Sequence, residues 1–421
     1  MSPRPQPAAN AFASANPHAL ATILEAGETR RIIAATDIFD ISGIKLWARD
    51  QPVSAALQRK LLDRQLRRPL ESCLVAEDGV TPIRLVEALQ ALVDGASPLA
   101  PLLRPQAARI VREAAHLSLH PVAQLLLTAS QTARPQAFDH AVAGMALNGA
   151  LMAGNGGDTP EIRLAMLCGL LHDLGEMYIA PQHGEAEADR DLDFVSFQQL
   201  VVHPHVGSLL ISQLTNYPGV VARAIAEHHE RLDGSGYPHA LQQAGLSPLG
   251  RLTAVTEATL NALRGADDPL LRASVALRAV PGEFDLDWVG RISRAASAQP
   301  PRAAVMAPED IQARLAALDD LLSAAQRQVD RLAAPGGLPA LAAPLRLAGF
   351  LLGRLRAGWN ESGMWNPRAL AVADAAEVEC VEDELYFRLR AIQRATLRLA
   401  GELPAPEAAA LTGFCDSLAM G

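Results

Sequence analysis

The chain has 421 residues, 49% of them hydrophobic, which is enough to build a buried core. Its formal net charge is −9, and Lys45 and Lys60 are its only lysines. An acidic chain is a poor nonspecific binder of nucleic acid, because such binding needs a cationic surface. Chains of this length commonly form two or three domains, and abundant alanine and leucine favour helices. We therefore expect a mainly α protein that does not bind DNA.

Cysteine use and hydropathy bear on the compartment. Cys73, Cys168, Cys380 and Cys415 are far apart and form no CxxC pair, as expected for reduced thiols. No apolar run reaches about 18 residues, so no membrane span is expected. The N-terminus lacks a basic segment followed by an apolar one, so no secretory signal is predicted. The sequence thus predicts a cytoplasmic protein with no membrane partner.

The N-terminal part is predicted to contain a tail and a small module. Residues 1–25 are rich in Pro, Ala, Asn and Ser, which predicts a flexible tail. Residues 26–98 are predicted to form a small α+β module. In it, apolar and polar residues alternate on both sides of Gly43, which indicates two strands joined by a turn. A helix is predicted over residues 55–72, and another begins with Thr81 as its N-cap. Sensing, docking and packing all remain open as the role of this module.

Residues 106–298 carry most of the side chains that can bind metal. Seven of the eleven histidines fall between His140 and His229, on segments whose apolar spacing predicts helices. In chain order, the candidate ligands are His140, His172, Asp173, His203, His228, His229 and Glu257. Helices that turn many imidazoles and carboxylates toward one place usually hold metal. The alternative for each histidine is a side chain packed against its helical neighbours.

The adjacent pair His172-Asp173 is the strongest of these signals. It ends a largely apolar helix for which Thr159 is the predicted N-cap. Burying an unpaired aspartate costs several kcal/mol, so Asp173 needs a cation. Neighbouring helix residues point about 100° apart, so the pair can serve two metals, with the carboxylate bridging them. The pair His228-His229 can likewise give one imidazole to each metal.

A glycine-containing loop follows the second histidine pair in "HHERLDGSGYP". Gly234 and Gly236 permit positive φ and close backbone approach, so a tight loop is predicted. The N–H groups of these two glycines could then face a phosphate. A simple turn is the alternative, and the flanking histidine pair argues against it.

Segments of the chain from about residue 136 to about residue 296 resemble the HD-GYP family of phosphohydrolases. "LCGLLHDLGEMYIAP" resembles its HD helix, "VVHPHVGSLLI" its HP helix, and "HHERLDGSGYP" matches its signature loop almost letter for letter. The resemblance implies an HD-type helical metal-binding core. It also implies that His140 is the first histidine ligand, and that His203 rather than His205 binds metal. Glu257 would replace an aspartate ligand of the family.

The resemblance also implies a reaction. The expected substrate is cyclic di-GMP, opened to linear pGpG in bacterial second-messenger signalling. Two metals bridged by Asp173, with His172 beside it, would lower the pKa of a shared water, and the hydroxide would attack phosphorus in line. Mixed histidine and carboxylate ligation suits iron or manganese better than zinc. The residues implied at the substrate are Asp233, which orders the loop, Gly234 and Gly236, and Tyr237 and Pro238, which shape the pocket wall.

Three departures from the family's pattern affect its substrate contacts and metal number. Glu176 stands where the family has a lysine, which reverses the charge near the phosphate. Gln136 stands where members with a third metal have glutamate, so we expect two metals. The family's arginine–lysine segment is missing, and Arg264 or Arg272 could take its place. Two alternatives stay open: a degenerate scaffold that binds a nucleotide or a protein partner without turnover, and a hydrolase of another phosphoester.

Residues 300–421 are predicted to form a C-terminal helical bundle. Three segments have apolar residues at heptad-like or helical spacing, with charged residues between them. Trp359 and Trp365 could bury against a partner, which would make these helices the interface of a homodimer. The alternative is that the apolar stripes face their own core.

Overall fold

The computed structural model describes residues 11–181, 199–264, 268–300, 305–334, 339–363, 375–398 and 403–419. Most of these residues are helical, which confirms the predicted mainly α fold. The chain divides into two units. The first comprises Met1–Gly95, Leu103–Asp189 and Val202–Ala226, and the second comprises Ala96–Leu102, Arg190–Val201 and Glu227–Gly421. The domain boundaries predicted from the sequence stay a prediction.

The described part of the chain contains helices α1 to α17 and strands β1 to β4. In chain order, the helices are α1 (Pro17–Gly27), α2 (Ala55–Leu61), α3 (Pro82–Asp94), α4 (Ala100–Leu103), α5 (Ala107–Ala114), α6 (Pro121–Ala133), α7 (Pro135–Gly154), α8 (Thr159–Leu171), α9 (His203–Leu214), α10 (Gly219–Glu227), α11 (Pro248–Leu263), α12 (Pro269–Ala276), α13 (Leu286–Ser297), α14 (Pro308–Leu332), α15 (Ala342–Ser362), α16 (Ala375–Arg398) and α17 (Ala405–Ala419). The strands are β1 (Ile32–Ala34), β2 (Ile38–Phe39), β3 (Lys45–Trp47) and β4 (Leu74–Ala76). A 3-10 turn, Leu174–Tyr178, follows α8.

Helix α1 corrects the prediction of a flexible tail over residues 1–25. The Asn16 side chain accepts hydrogen bonds from the first backbone N–H groups of this helix, and Pro17 supplies a preset φ. Leu20 and Ile23 lie one turn apart and are both buried. This short apolar stripe was not recognised in the sequence, because most of the surrounding segment is rich in Pro, Ala, Asn and Ser.

Two small antiparallel sheets lie in the first unit. β2 pairs with β3 on either side of a turn that contains Gly43, which confirms the predicted pair of strands. β1 pairs with β4, and the sequence pattern did not predict this sheet. Its strands are three residues long and far apart in the sequence, so no local alternation marks them.

Two helix boundaries differ from the predicted ones. The helix predicted over residues 55–72 ends at Leu61, and a 3-10 turn at Leu70–Cys73 follows later. Asp158, rather than Thr159, caps α8, and Glu161 completes a capping box. Asp158 is the N-cap because its carboxylate accepts the Glu161 N–H at 2.9 Å. The prediction that Thr81 caps α3 is confirmed.

Helices α7 and α8 pack closely through a pair of glycines. Gly144 on α7 faces Gly169 on α8, and a Cβ added to Gly144 would lie 2.5 Å from the Gly169 carbonyl oxygen. Only glycine at both positions lets the two backbones approach this closely. The contact lies about one turn from His140 on α7 and from His172 at the end of α8, so it fixes the separation of these two histidines.

The C-terminal helices α14 to α17 of the second unit share an apolar core. Its bulkiest fully buried side chains include Trp359 and Phe414. The Trp359 indole N–H donates to an Asp319 carboxylate oxygen at 2.7 Å, which satisfies the polar end of the ring. Trp359 therefore packs in the core of its own chain. Trp365 lies outside the described residues.

No helix in the described part of the chain combines the length and the apolar character that crossing a bilayer requires. The cytoplasmic location stays a prediction.

Candidate metal centre

Helices α7 and α8 bring two predicted ligands of the first unit together. The Nε2 atoms of His140 and His172 lie 3.3 Å apart. Nδ1 of His172 lies 2.8 Å from the Gly169 carbonyl oxygen, which only accepts hydrogen bonds, so Nδ1 carries the proton. This hydrogen bond fixes the ring and leaves Nε2 as the ligating atom, an arrangement common among metal-binding histidines.

Asp173 lies among three imidazoles. It follows α8 and begins the 3-10 turn, and its Oδ2 lies 3.3 Å from His140 Nε2 and 3.2 Å from His172 Nε2. Its Oδ1 lies 3.3 Å from Nε2 of His203, the first residue of α9. One carboxylate therefore presents its two oxygens to two different sets of imidazoles.

The electrostatics of this cluster favour a bound cation. Burial alone would raise the pKa of Asp173, but the charge on His172 and hydrogen bonds from His140, His172 and His203 outweigh it. The pKa of Asp173 is thereby held well below its usual value. The carboxylate is therefore ionised at neutral pH, and it can accept an N–H from an imidazole or share a metal with one.

The donor set fits divalent metals. His140, His172 and Asp173 each offer a ligand atom within 4.8 Å of the other two. His172 and His203 are fully buried, so their nitrogens meet little competing water. Imidazole nitrogen and carboxylate oxygen together suit the divalent first-row metals. These four residues of the first unit can hold metal, with Asp173 able to contact two ions.

The second unit holds the other predicted ligands. The His228 and His229 rings follow α10, lie 4.2 Å apart between centroids, and are both buried. Glu257 on α11 is fully buried, and the Asn261 side-chain amide donates to its Oε1 at 2.7 Å. That hydrogen bond orients the carboxylate. These three side chains also have the donor chemistry of metal ligands.

The loop after His229 is held tightly by its own backbone. Gly234 has a φ of +84°, and a Cβ added to Gly236 would lie 2.5 Å from the His229 carbonyl oxygen. The Tyr237 ring stacks on the His229 ring, with centroids 4.5 Å apart and planes 14° apart. The Gly234 N–H donates to the Arg231 carbonyl at 2.9 Å. The expectation that this N–H faces a phosphate is therefore wrong, because the loop uses it internally.

Asp233 and Glu230 tie this loop together. One Asp233 oxygen accepts hydrogen bonds from the N–H and the hydroxyl of Ser235, at 2.9 and 2.6 Å. Its other oxygen lies 3.0 Å from Arg354 Nε on α15. The buried Glu230 carboxylate accepts the backbone N–H groups of His239 and Leu241. Neither Glu230 nor Arg354 was predicted from the sequence. Arg354 is one of several arginines on α15, and its spacing does not distinguish it from the others.

The positions that depart from the HD-GYP pattern differ in burial. Glu176 is buried in the 3-10 turn, and its carbonyl accepts from Arg134. Burial lowers the pKa of Arg134, while the negative charges of Glu176 and Glu25 oppose that shift. Gln136 is exposed. Arg272, one candidate for the missing segment, lies 3.7 Å from Asp383.

His205, which the resemblance does not make a ligand, is exposed on α9. His183, which also lies between His140 and His229, falls outside the described residues.

Comparison with known proteins finds a domain match in the middle of the chain. Residues 122–280 match the model of the HD domain, which confirms the predicted HD-type core. Over these residues the chain is similar to HD domains.

One curated relative is similar to part of the chain. A Pseudomonas aeruginosa protein named cyclic di-GMP phosphodiesterase is 34% identical over 139 residues, which are 33% of this chain and 33% of that protein. The chain thus covers about one third of the length of this curated relative.

Proposed function

We propose that the chain is a metal-dependent phosphodiesterase of the HD-GYP type that opens cyclic di-GMP to linear pGpG in bacterial second-messenger signalling. The observation that carries the proposal is the Asp173 carboxylate, whose two oxygens face separate imidazoles at 3.2 to 3.3 Å. A carboxylate in that position is suited to bridge two cations. The similarity to the Pseudomonas aeruginosa phosphodiesterase supports the choice of substrate.

The proposed ligand set is the one that the sequence predicts. His140, His172, Asp173 and His203 form its first part, and His228, His229 and Glu257 complete it. Two ions, iron or manganese, suit this mixture of nitrogen and oxygen donors. When bound, they supply Lewis acidity for the phosphate and lower the pKa of a coordinated water.

The side chains of the chain would do the positioning. The low pKa of Asp173 keeps its carboxylate charged. The Nδ1–H of His172 donates to the Gly169 carbonyl oxygen, so Nε2 stays directed at Asp173. These two residues are the proposed catalytic pair. Around the substrate, Asp233 would order the loop. Tyr237 and Pro238, with Gly234 and Gly236, would form the wall of the substrate pocket.

The experiment is a turnover assay with a matched pair of variants. Chain loaded with Fe²⁺ or Mn²⁺ under reducing conditions is incubated with cyclic di-GMP, and pGpG is quantified by chromatography. We expect pGpG from the wild type and from Asp139→Asn, since Asp139 is exposed. We expect no pGpG above background from Asp173→Ala. Equal turnover by Asp139→Asn and Asp173→Ala would contradict the proposal.

One observation favours a second candidate function, a scaffold that binds cyclic di-GMP without hydrolysing it. Glu176 buries a carboxylate where the resembling family has a lysine, so a phosphate contact is lost. Wild-type chain that holds two metals and binds cyclic di-GMP in equilibrium dialysis, yet yields no pGpG, would establish this reading. Under it, Glu176→Gln should tighten binding, because one negative charge is removed.

Two further predictions concern partners. A homodimer through the C-terminal helices stays a prediction, and sedimentation equilibrium of the full chain tests it. A binding partner other than a cyclic dinucleotide is expected only for the scaffold.

A further inference from the structure

Helices α12, α14 and α16 of the second unit line an open pocket of about 530 Å³. Its lining side chains are Arg272, Arg314, Asp383, Tyr386, Phe387 and Arg390. Sites for small molecules commonly measure about 300–1,000 Å³, so the pocket is large enough for one. Three of these side chains are cationic and one is anionic, in a chain whose net charge is −9. The pocket is therefore a local positive site on an acidic protein.

Arg272 and Arg314 form ion pairs that orient them at the pocket and still leave N–H donors for a ligand. Arg314 Nε lies 2.8 Å from a carboxylate oxygen of the buried Glu382, which fixes the guanidinium at the pocket. Asp383 lies 3.6 Å from Arg314 and 3.7 Å from Arg272, and its side chain is 46% exposed. Half-exposed pairs of this length contribute little to stability. A phosphate can therefore replace Asp383 as the partner of both arginines, and it accepts bidentate hydrogen bonds from each.

Helix α16 adds a ring and a third cation. Residues three or four apart share a helix face, so Asp383, Phe387 and Arg390 lie along one side of α16. Phe387 is 51% exposed, which is unusual for so large an apolar side chain. Arg390 is exposed, and its side chain has no hydrogen bond or ion pair to any residue that the structure describes. An exposed ring beside arginines offers a stacking surface for a base and cations for its phosphate.

We propose that this pocket is a second ligand site, which binds a nucleoside monophosphate. Arg272, Arg314 and Arg390 hold the phosphate, and Phe387 stacks on the base. Tyr386 completes the wall. This assignment places Arg272 in the second site instead of in the missing arginine–lysine segment. The metal ligands and loop residues of the proposed phosphodiesterase site include none of the pocket side chains, so the inference stands independently of that site.

The first test is a comparison of three probes. The full chain, loaded with Mn²⁺, is titrated by equilibrium dialysis with GMP, with inorganic phosphate and with guanosine. We expect GMP to bind with a dissociation constant below about 1 mM. Phosphate and guanosine each use only part of the pocket, so each should bind at least about tenfold more weakly. Equal affinities for phosphate and GMP would overturn the nucleotide assignment.

The second test uses four variants of the same chain. Arg390→Glu should weaken GMP binding at least about tenfold, and Phe387→Ala about fivefold or more. Both positions are exposed, so the fold tolerates the changes, and thermal melts check this. Arg346→Glu, an exposed arginine on α15, controls for net charge, and Asp173→Ala controls for the metal cluster. Both controls should bind GMP like the wild type.

Three results would overturn the proposal. The first is no GMP binding at concentrations up to about 5 mM, which is several times the expected dissociation constant. The second is an equal loss in Arg390→Glu and Arg346→Glu, which would mean that charge acts without a site. The third is loss of binding in Asp173→Ala, which would move the ligand to the metal cluster.

Discussion

Two buried clusters of ionisable groups in this chain are balanced in different ways. In the second unit, Arg388 on α16 pairs with Glu384 at 2.6 Å and with Glu283. Burial alone would lower the pKa of Arg388, but the two carboxylates reverse the shift and raise it above its usual range. In the first unit, Asp173 faces the imidazoles of His140, His172 and His203, and the charge of an imidazole depends on a proton.

The difference lies in where each cluster obtains its positive charge. A guanidinium stays charged at every physiological pH, so the Arg388 cluster carries its own cation. Neutral imidazoles instead offer lone pairs, and a metal can replace the protons between them and Asp173. Breaking each cluster should therefore have different consequences, and the predictions below run from the largest expected effect to the smallest.

The largest effect should be the loss of turnover in Asp173→Asn. The amide keeps the shape of the side chain but removes the charge that opposes the cations. We expect kcat for cyclic di-GMP to fall on the order of 10³-fold or more, the scale of losing an essential catalytic group. Steady-state assays with saturating Mn²⁺ measure it. A loss below about tenfold, with Asp139→Asn unchanged, would show that Asp173 is dispensable.

Arg388→Met should cost stability rather than chemistry. Removing the cation leaves Glu283 and Glu384 buried without it, and breaking such a group costs about 3–5 kcal/mol. Urea unfolding measures the change. The matched control is Arg390→Met on the same helix, which is exposed and should change stability by about 0.5 kcal/mol or less. Adding Glu283→Gln and Glu384→Gln to Arg388→Met should recover part of the loss.

Metal removal should destabilise the wild type by an intermediate amount. Metal that binds only the folded chain at 100 times its dissociation constant adds about 2.7 kcal/mol of stability. We therefore expect a chelator to lower the melting temperature of the wild type and to leave that of Asp173→Asn unchanged. Identical melting curves of the wild type with and without chelator would argue against any structural role of metal in the cluster.

The smallest effect on stability should come from Glu71, a buried carboxyl outside both clusters. Glu71 accepts a hydrogen bond from the Tyr178 hydroxyl at 2.8 Å, and burial raises its pKa above the usual 4.5. A raised pKa in the folded state gives stability that is complete below 4.5 and is lost as pH rises through the folded value. Glu71→Gln should remove this pH dependence, on the order of 1 kcal/mol for each unit of pKa shift. Urea unfolding at pH 5 and pH 7 measures it, and parallel losses in both proteins would contradict the prediction.

Local features of the fold were predicted from the sequence better than long-range contacts. The adjacent pair His172-Asp173 and the Thr81 cap are local patterns, so residue spacing was enough to predict them. The cap on α8 was misplaced by one residue, because Asp158 and Thr159 are both good caps and only geometry separates them. The apolar stripe of α1 was too short to stand out in a polar segment.

Long-range partners lay beyond such patterns. Arg354 contacts Asp233 across 121 positions, and Arg388 contacts Glu283 across 105. On amphipathic helices these arginines have the same spacing as solvated ones, so composition and periodicity do not distinguish them. The pairing of β1 with β4 was missed because the two strands are short and far apart in the sequence.

Anomalous scattering from crystals of the metal-loaded chain, collected at the iron and manganese edges, tests the central claim most directly. The account predicts two peaks, one against His140, His172 and Asp173 Oδ2, and another against Asp173 Oδ1 and His203. Crystals of metal-loaded chain with no peak within about 3 Å of Asp173, a distance that already exceeds metal–ligand bonds, would contradict it.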